Sequence, residues 1–373
     1  MESAILQKTQ LTDGDLQWMS RNFIDMTKMK TPSTKNAWFS CNYLKNSAVL
    51  KYFHHFEEKS LDSTIELIQG QIDNWNHPHI LKVFDYDFNE KDPYSYRFAI
   101  CQEKGLFSLR DELDKKNRLT PEDCWSLMGQ LSSALLYAQS NFQTFHGNIK
   151  PSNVINFNEE KKLYKLSEFG SGTVELGKKI RILAKTQDLT QNEFLAPEYK
   201  RIPEKGENDN LNPYANDVYA LGILALDALG YKVEYLRGLD PASAEALGFF
   251  NSVFTDLYNQ LDYKFFNILQ LMLNRDPNKR PSIEDVDNVF TNGEVPGQLE
   301  GYGDFEFGKV VKGEAFIGVG LKDIKRPKIK ALKFADYDKL WSIPIREFKS
   351  VKANKWMDQK TLRSTKQAMF FDD

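Results

Sequence analysis

The feature that most constrains this chain is a change of hydrophobic pattern near residue 105. Before it, AWFSCNYL, AVLKYFHHF, ILKVFDYDF and YRFAICQE are short runs rich in aromatic and β-branched residues. They are parted by the turn-like SLDS and NEKDPYS, and they read as strands. Between the second and third runs, STIELIQGQIDNWNHPHI has helical spacing and stops at His77-Pro78, where proline blocks continuation. After residue 105 the pattern is helical. TPEDCWSLMGQLSSALLYAQSNF opens with Thr120 as cap, Pro121 in the first helical position and Asp123 three residues after the cap. NPYANDVYALGILALDALG is apolar nearly all round, which predicts a buried helix. FFNSVFTDLYNQLDYKFFNILQLML and SIEDVDNVF complete the helical set. A small strand-rich part followed by a larger helix-rich part predicts an α+β chain in two lobes.

A length of 373 residues holds one two-lobed domain plus an extension, or two ordinary domains, and 41% apolar with 27% charged residues predicts a folded rather than a disordered chain. The start, MESAILQKTQLTDGD, has no basic region followed by an apolar run, and VYALGILALDALG is too short to span a bilayer and carries Asp227. The expectation is a soluble cytoplasmic chain without a transmembrane segment. Cys41, Cys101 and Cys124 have neither metal nor disulfide spacing, as in a reducing compartment, and are expected to be buried. Residues 1–36 read as an N-terminal extension. Within it a helix is expected over DGDLQWMSRNFIDMTKM, with Asp13 as cap and Leu16, Met19, Phe23 and Met26 on one face. Residues 291–373 read as a C-terminal extension of Gly-punctuated short strands and turns with a basic, aromatic end. Residues 321–373 carry fourteen Lys/Arg against seven Asp/Glu, so that segment stands near +7 and the remainder near −10. A basic tail of this kind contacts an acidic partner, such as a nucleic acid, a membrane surface or an acidic cytoskeletal protein, or it packs on the acidic body or stays solvated.

FHGNIKPSNVINF, residues 145–157, has the makings of a phosphate-transfer loop with one residue changed, and five further segments follow the same order as those of one family. AVLKYF places Lys51 upstream; LSEFG (166–170), FLAPEY (194–199), NDVYALG (216–222) and NRDPNKRPS (274–282) lie downstream. Together they resemble the eukaryotic protein kinase family over roughly residues 37–290. The resemblance implies a two-lobed kinase-like fold, with a small β-rich lobe over about 37–103 and a larger α-helical lobe over about 104–290.

The resemblance also implies roles. His146 and Phe169 match positions that pack in a spine, with Gly170 closing the LSEFG segment. Glu198 and Arg280 match a buried ion pair, and Asp217 an anchor for the catalytic-loop backbone. These structural positions are kept, whereas those that touch reacting groups are mostly changed. Asn148 stands where the family has the aspartate that accepts the substrate's proton, and a neutral amide does not take a proton usefully. Gly147 replaces an arginine that pairs with a phosphorylated activation segment, so phosphorylated Thr173, Thr186 or Thr190 lacks that partner. Glu168 replaces the metal-binding aspartate with a chain one methylene longer, against the tight octahedral demand of Mg²⁺. Lys51, Glu103, Lys150 and Asn153 remain as candidate nucleotide contacts, and Asn153 with Glu168 as candidate metal ligands. No glycine occurs between Gly14 and Gly70, where the family's Gly-rich turn closes over phosphates. The helix glutamate that pairs with the strand lysine is also displaced. The family's spacing lands on Ile68, with Glu66 off that face, which leaves Lys51 to solvent or to a local carboxylate such as Glu58.

These substitutions compound, because all act on one transition state. The resemblance therefore points to a pseudokinase that requires no cofactor and acts as a protein-binding scaffold or structural subunit of a larger assembly, with a cytoskeletal setting among the options. The alternative is a divergent serine/threonine kinase with weak activity, in which Lys51, Lys150, Asn153 and Glu168 hold ATP and Mg²⁺. A third reading keeps nucleotide binding without turnover.

Overall fold

The computed structural model describes residues 12–21, 23–29, 36–57, 61–92, 95–116, 118–169, 192–200, 211–241 and 243–293. The chain divides into two compact units, one of residues 1–119 and 126–179, the other of 120–125 and 180–373.

The first unit is built on an antiparallel sheet of β1 (Ile24–Lys28), β2 (Asn36–Tyr43), β3 (Asn46–Glu57), β4 (Val83–Asp92) and β5 (Ser95–Glu103), in the order β1-β2-β3-β5-β4. The four strand-like runs of the sequence are β2 to β5. Alternation along β3 sends successive side chains to opposite faces. Ala48, Leu50 and Tyr52 join Phe39, Cys41, Ala99 and Cys101 in one cluster, closed by Trp18, Met19 and Phe23. Phe53, Phe98 and Ile100 pack on the other face against Ile65, Ile68 and Ile72. Those isoleucines lie on α2 (Leu61–Asn74), which ends ahead of His77-Pro78 as its sequence predicts.

The N-terminal stretch departs from expectation. Helix α1 is only Asp13–Met19, and its cap is Thr12 rather than Asp13, with Thr12 and Asp15 forming a reciprocal capping box. The chain then becomes β1, so Met26 reaches the core from a strand rather than from a helix face. The edge of β2 offers backbone partners to residues 24–28, which outweighs extension of a short helix. The stretch 13–28 is therefore part of the sheet and its cover.

A smaller sheet of β6 (Phe107–Ser108), β7 (Val154–Asn158) and β8 (Leu163–Leu166) completes the unit, with α3 (Leu109–Lys116) beside it. Glu112 on α3 is fully buried and accepts from Lys162 Nζ at 2.9 Å, Tyr164 Oη at 3.0 Å and Lys116 Nζ at 3.2 Å. Burial raises its carboxyl pKa, but the bonds from Lys162, Lys116 and Tyr164 outweigh this and hold it below the usual range. The long α4 (Pro121–Phe142) starts as expected, with Thr120 Oγ1 accepting from Asp123 N at 3.1 Å.

The second unit holds α5 (Pro197–Lys200), α6 (Pro213–Ala228), α7 (Ala244–Leu257), α8 (Tyr263–Met272) and α9 (Ile283–Asn292). Asn212 caps α6, Pro213 opens it, and every residue from Ala215 to Ala228 is buried, as its all-round apolar sequence predicts. The apolar run 249–273 holds the end of α7 and all of α8, and Asp262 caps α8 by accepting from Lys264 N at 2.8 Å. Trp125 packs its ring 5.6 Å from Phe265 and 4.8 Å from Phe290. Cys41, Cys101 and Cys124 are free and buried. Among the described residues no helix is long and apolar enough to cross a membrane. Gly170, Thr173, Thr186, Thr190, Glu58 and the basic C-terminal segment lie outside the described residues.

Candidate functional site

The loop after α4 is organised by His146, which is fully buried. Its Nδ1 accepts from Asn148 N at 3.1 Å, so its Nε2–H is the donor to Ser167 O at 2.7 Å, and the ring is neutral in that tautomer. Burial holds its pKa down to about 4, consistent with a neutral imidazole near neutral pH. The ring meets Phe169 edge to face with centroids 4.7 Å apart, and Phe169 meets Trp75 at 5.2 Å. Gln71 Nε2 of α2 donates to Phe169 O at 3.2 Å. The spine positions read from the sequence are thus in contact with one another and with α2. Gly147 has φ of 73°, a left-handed value that glycine takes at little cost and an arginine does not.

Asn153 ends a single 3-10 turn, Pro151–Asn153, and is buried. Its Nδ2 donates to Asn148 O at 2.9 Å, while its own carbonyl accepts from Ser167 N at 2.8 Å and Ser167 Oγ at 2.9 Å. These bonds tie the loop to the strand end that carries Glu168 one residue further on. Lys150 O accepts from Asn153 N at 2.9 Å; the Lys150 side chain is half-buried and makes no ion pair among the described residues.

Lys51 stands at the centre of β3, opposite Trp38 on β2 and Ile100 on β5. Its ammonium pairs with Glu168 Oε1 and lies 5.1 Å from the Trp38 ring centre and 4.9 Å from that of Phe53. The side chain is only 10% exposed and that of Glu168 16%. Glu168 takes this position with a left-handed backbone, φ 67°, which costs a non-glycine residue about 1 to 2 kcal/mol. On α2, Glu66 is exposed and Ile68 is buried in the apolar cluster, so the partner of Lys51 is Glu168 rather than a residue of that helix. Glu103, at the end of β5, is spent in the same way. Both its carboxylate oxygens accept from Lys165 Nζ at 2.8 Å, and Oε1 also accepts from Lys82 N at 2.6 Å.

This arrangement does not fit a metal-bound triphosphate in the way the kinase resemblance implies. A phosphate oxygen at Lys51 meets the Glu168 carboxylate already paired with that ammonium, and a cation at Glu168 meets the Lys51 charge beside it.

Glu198, Asp217 and Arg280 lie in the second unit. Arg280 grips Glu198 with two parallel bonds of 2.7 Å, and Asp217 is buried within α6. Sequence reading missed Glu193–Arg237, a second two-pronged pair at 2.8 and 2.6 Å, and Glu103–Lys165. Each joins residues too far apart in sequence for local pattern to reveal it.

Similarity to known proteins agrees with the fold. The protein kinase domain family matches residues 38–289. A probable serine/threonine-protein kinase of Dictyostelium discoideum is 24% identical over 222 residues, 57% of this chain and 19% of that protein. Serine/threonine-protein kinase PSK1 of Saccharomyces cerevisiae is 24% identical over 224 residues, 59% of this chain and 15% of that protein. The chain thus matches less than a fifth of the length of either relative. The crystal structure of Rad53 residues 1–466 in complex with AMP-PNP superposes with a TM-score of 0.51 at 16% identity, over 72% of this chain and 65% of that one, which shows the fold. Motif order, sheet topology and the family match over most of the chain lead to one conclusion: this chain belongs to the protein kinase domain family.

Proposed function

We propose that the chain is a pseudokinase, a kinase fold retained for binding proteins rather than for transferring phosphate, and that it needs no cofactor for that role. The observation that carries this reading is the closure of Lys51 onto Glu168. The two groups that would manage phosphate and metal in a working kinase neutralise one another, and Asn148 supplies no base. Loss of a general base alone slows transfer roughly 10²- to 10⁴-fold. Loss of phosphate and metal handling falls on the same transition state, so restoring one group alone does not restore the rate.

With radiolabelled ATP, Mg²⁺ and a mixture of protein acceptors, label incorporation is expected to match that of Lys51→Met, and Asn148→Asp is expected not to raise it. Transfer at an ordinary kinase rate that disappears in Lys51→Met would overturn the reading.

One observation favours the alternative, a divergent serine/threonine kinase. Asn153 is held in place by the loop, and Lys150 remains without an ion pair among the described residues, as a slow enzyme requires. The named relatives are serine/threonine kinases as well. The same assay separates the two readings. For the binding role, the C-terminal extension is the proposed docking arm, since its end is basic and aromatic. Pull-downs are expected to lose at least one partner when the chain ends near residue 295; retention of every partner counts against the arm.

A further inference from the structure

Lys51 is enclosed on three sides, by the Glu168 carboxylate and by the Trp38 and Phe53 rings at 5.1 and 4.9 Å. A cation so enclosed has its charge balanced by carboxylate and its remaining faces met by aromatic quadrupoles. An anionic ligand that reaches this ammonium meets the like charge of Glu168 beside it. We infer that Glu168 is an internal stand-in for phosphate. Lys51 takes a polyphosphate nucleotide only as the free anion, in competition with Glu168, and a divalent metal does not help it bind.

Two ways of admitting a nucleotide differ in what they break. In the first, metal-assisted binding draws Glu168 to a cation and leaves the Lys51 ammonium, 10% exposed, facing two rings without its carboxylate. In the second, the metal-free anion takes over at Lys51, so the ammonium keeps a counter-charge and only the Glu168 contact is lost. The second path keeps the more buried charge of the pair matched. It also places a like charge beside Glu168, which keeps the wild-type affinity low. Removing the charge of Glu168 while keeping its shape abolishes both the competition and the repulsion. Affinity for metal-free nucleotide therefore rises, whereas a site that used Glu168 as a metal ligand loses affinity on the same change.

This inference rests on the pseudokinase reading for the loss of metal handling, and its test is separate from that reading. Thermal melts and calorimetric titrations with ATP, in EDTA and in Mg²⁺, are run on the wild-type chain, Glu168→Gln and Lys51→Met/Glu168→Gln. Glu168→Gln is expected to bind ATP in EDTA about 5- to 150-fold more tightly than wild type, the span of ordinary coupling between sites. Mg²⁺ is expected not to strengthen that binding, and the double variant is expected to lose the gain. A cooperatively melting Glu168→Gln chain with no gain overturns the inference, as does wild-type binding that requires Mg²⁺ and vanishes in Glu168→Gln. Glu168→Ala is the second variant, read in the same way. If neither variant melts cooperatively, the pair holds the fold rather than gating a ligand, and the inference falls. Phosphate transfer by the wild-type chain sinks the pseudokinase reading; a flat response to Glu168→Gln sinks only the present one.

Discussion

Arg280→Ala is expected to unfold at a urea concentration far below that of the wild-type chain, with a loss of about 3 to 5 kcal/mol. Few single changes in this chain combine so many lost bonds with so little solvent to replace them. The guanidinium gives Glu198 two bonds of 2.7 Å, Asn274 O one of 2.7 Å and Ala215 O one of 3.0 Å, and it lies 5.0 Å from the centre of the Tyr219 ring. Its side chain is fully buried and that of Glu198 is 14% exposed. Alanine therefore removes donors from a carboxylate and from the carbonyls of Asn274, Ala215 and Arg275 in a place that water hardly reaches.

Total stabilities of folded domains are about 5 to 15 kcal/mol, so a loss of this size is a large share of the whole. The paired change Arg280→Met with Glu198→Leu removes the stranded charge and is expected to recover part of the loss. It does not recover all of it, because Asn274 O and Ala215 O still lack their donor. Equilibrium urea titrations with an unchanged slope decide the matter. A loss below about 1 kcal/mol, that of an ordinary surface pair, rules out the structural role assigned to Arg280.

The kept motif positions were legible because packing has a pattern. Leu50 and Tyr52 on one side of β3 and Phe53 on the other follow a period of two, and α6 is apolar all round because it is buried all round. What escaped the sequence had no pattern to show. β1 is an edge strand whose Ile24 is 61% exposed and whose single half-buried residue is Met26, so alternation is absent. The β2–β3 turn is made by Leu44 and Lys45 with φ of 45° and 69°, values normally signalled by glycine or asparagine. β6 has only two residues and depends on β7 for its existence.

The candidate site divides along the same line. Residue types were readable, and pairings were not. Lys51 and Glu168 are 117 residues apart, and nothing local couples them. One physical signal was nevertheless present. A lysine in the middle of an apolar strand needs a counter-charge, and a helix that offers Ile68 where a glutamate belongs sends the search elsewhere. Glu168, with its extra methylene, is the longer-reaching carboxylate of the altered motif. The residue that the sequence marks as a poor fit for Mg²⁺ is thus the one that serves the lysine.

The same logic of buried charge applies at the opposite face of the sheet, where acid is expected to loosen the N-terminal helix. Asp15 of α1 is fully buried and accepts from Arg97 Nε at 2.7 Å, Thr12 Oγ1 at 2.8 Å and Thr12 N at 3.0 Å. Burial raises the pKa of its carboxyl, but the Thr12 backbone bond and the Arg97 guanidinium outweigh this and hold it well below the usual carboxylate range. A folded-state pKa below the unfolded one means that the unfolded chain takes up the proton first. The stabilisation is complete above the unfolded value and is lost as pH falls through the acid range. A carboxylate held down in this way contributes on the order of 2 to 3 kcal/mol near neutral pH. Asp15→Asn is therefore expected to cost about 2 kcal/mol near neutral pH and to flatten the fall of stability between about pH 5 and pH 2, because the variant has no proton to take up there. The loss exposes the cluster that Trp18 and Met19 close, so Trp18, 6.2 Å from the Tyr52 ring, reports it by fluorescence. If wild type and Asp15→Asn lose stability in parallel across that range, Asp15 is not the group through which acid acts on this face.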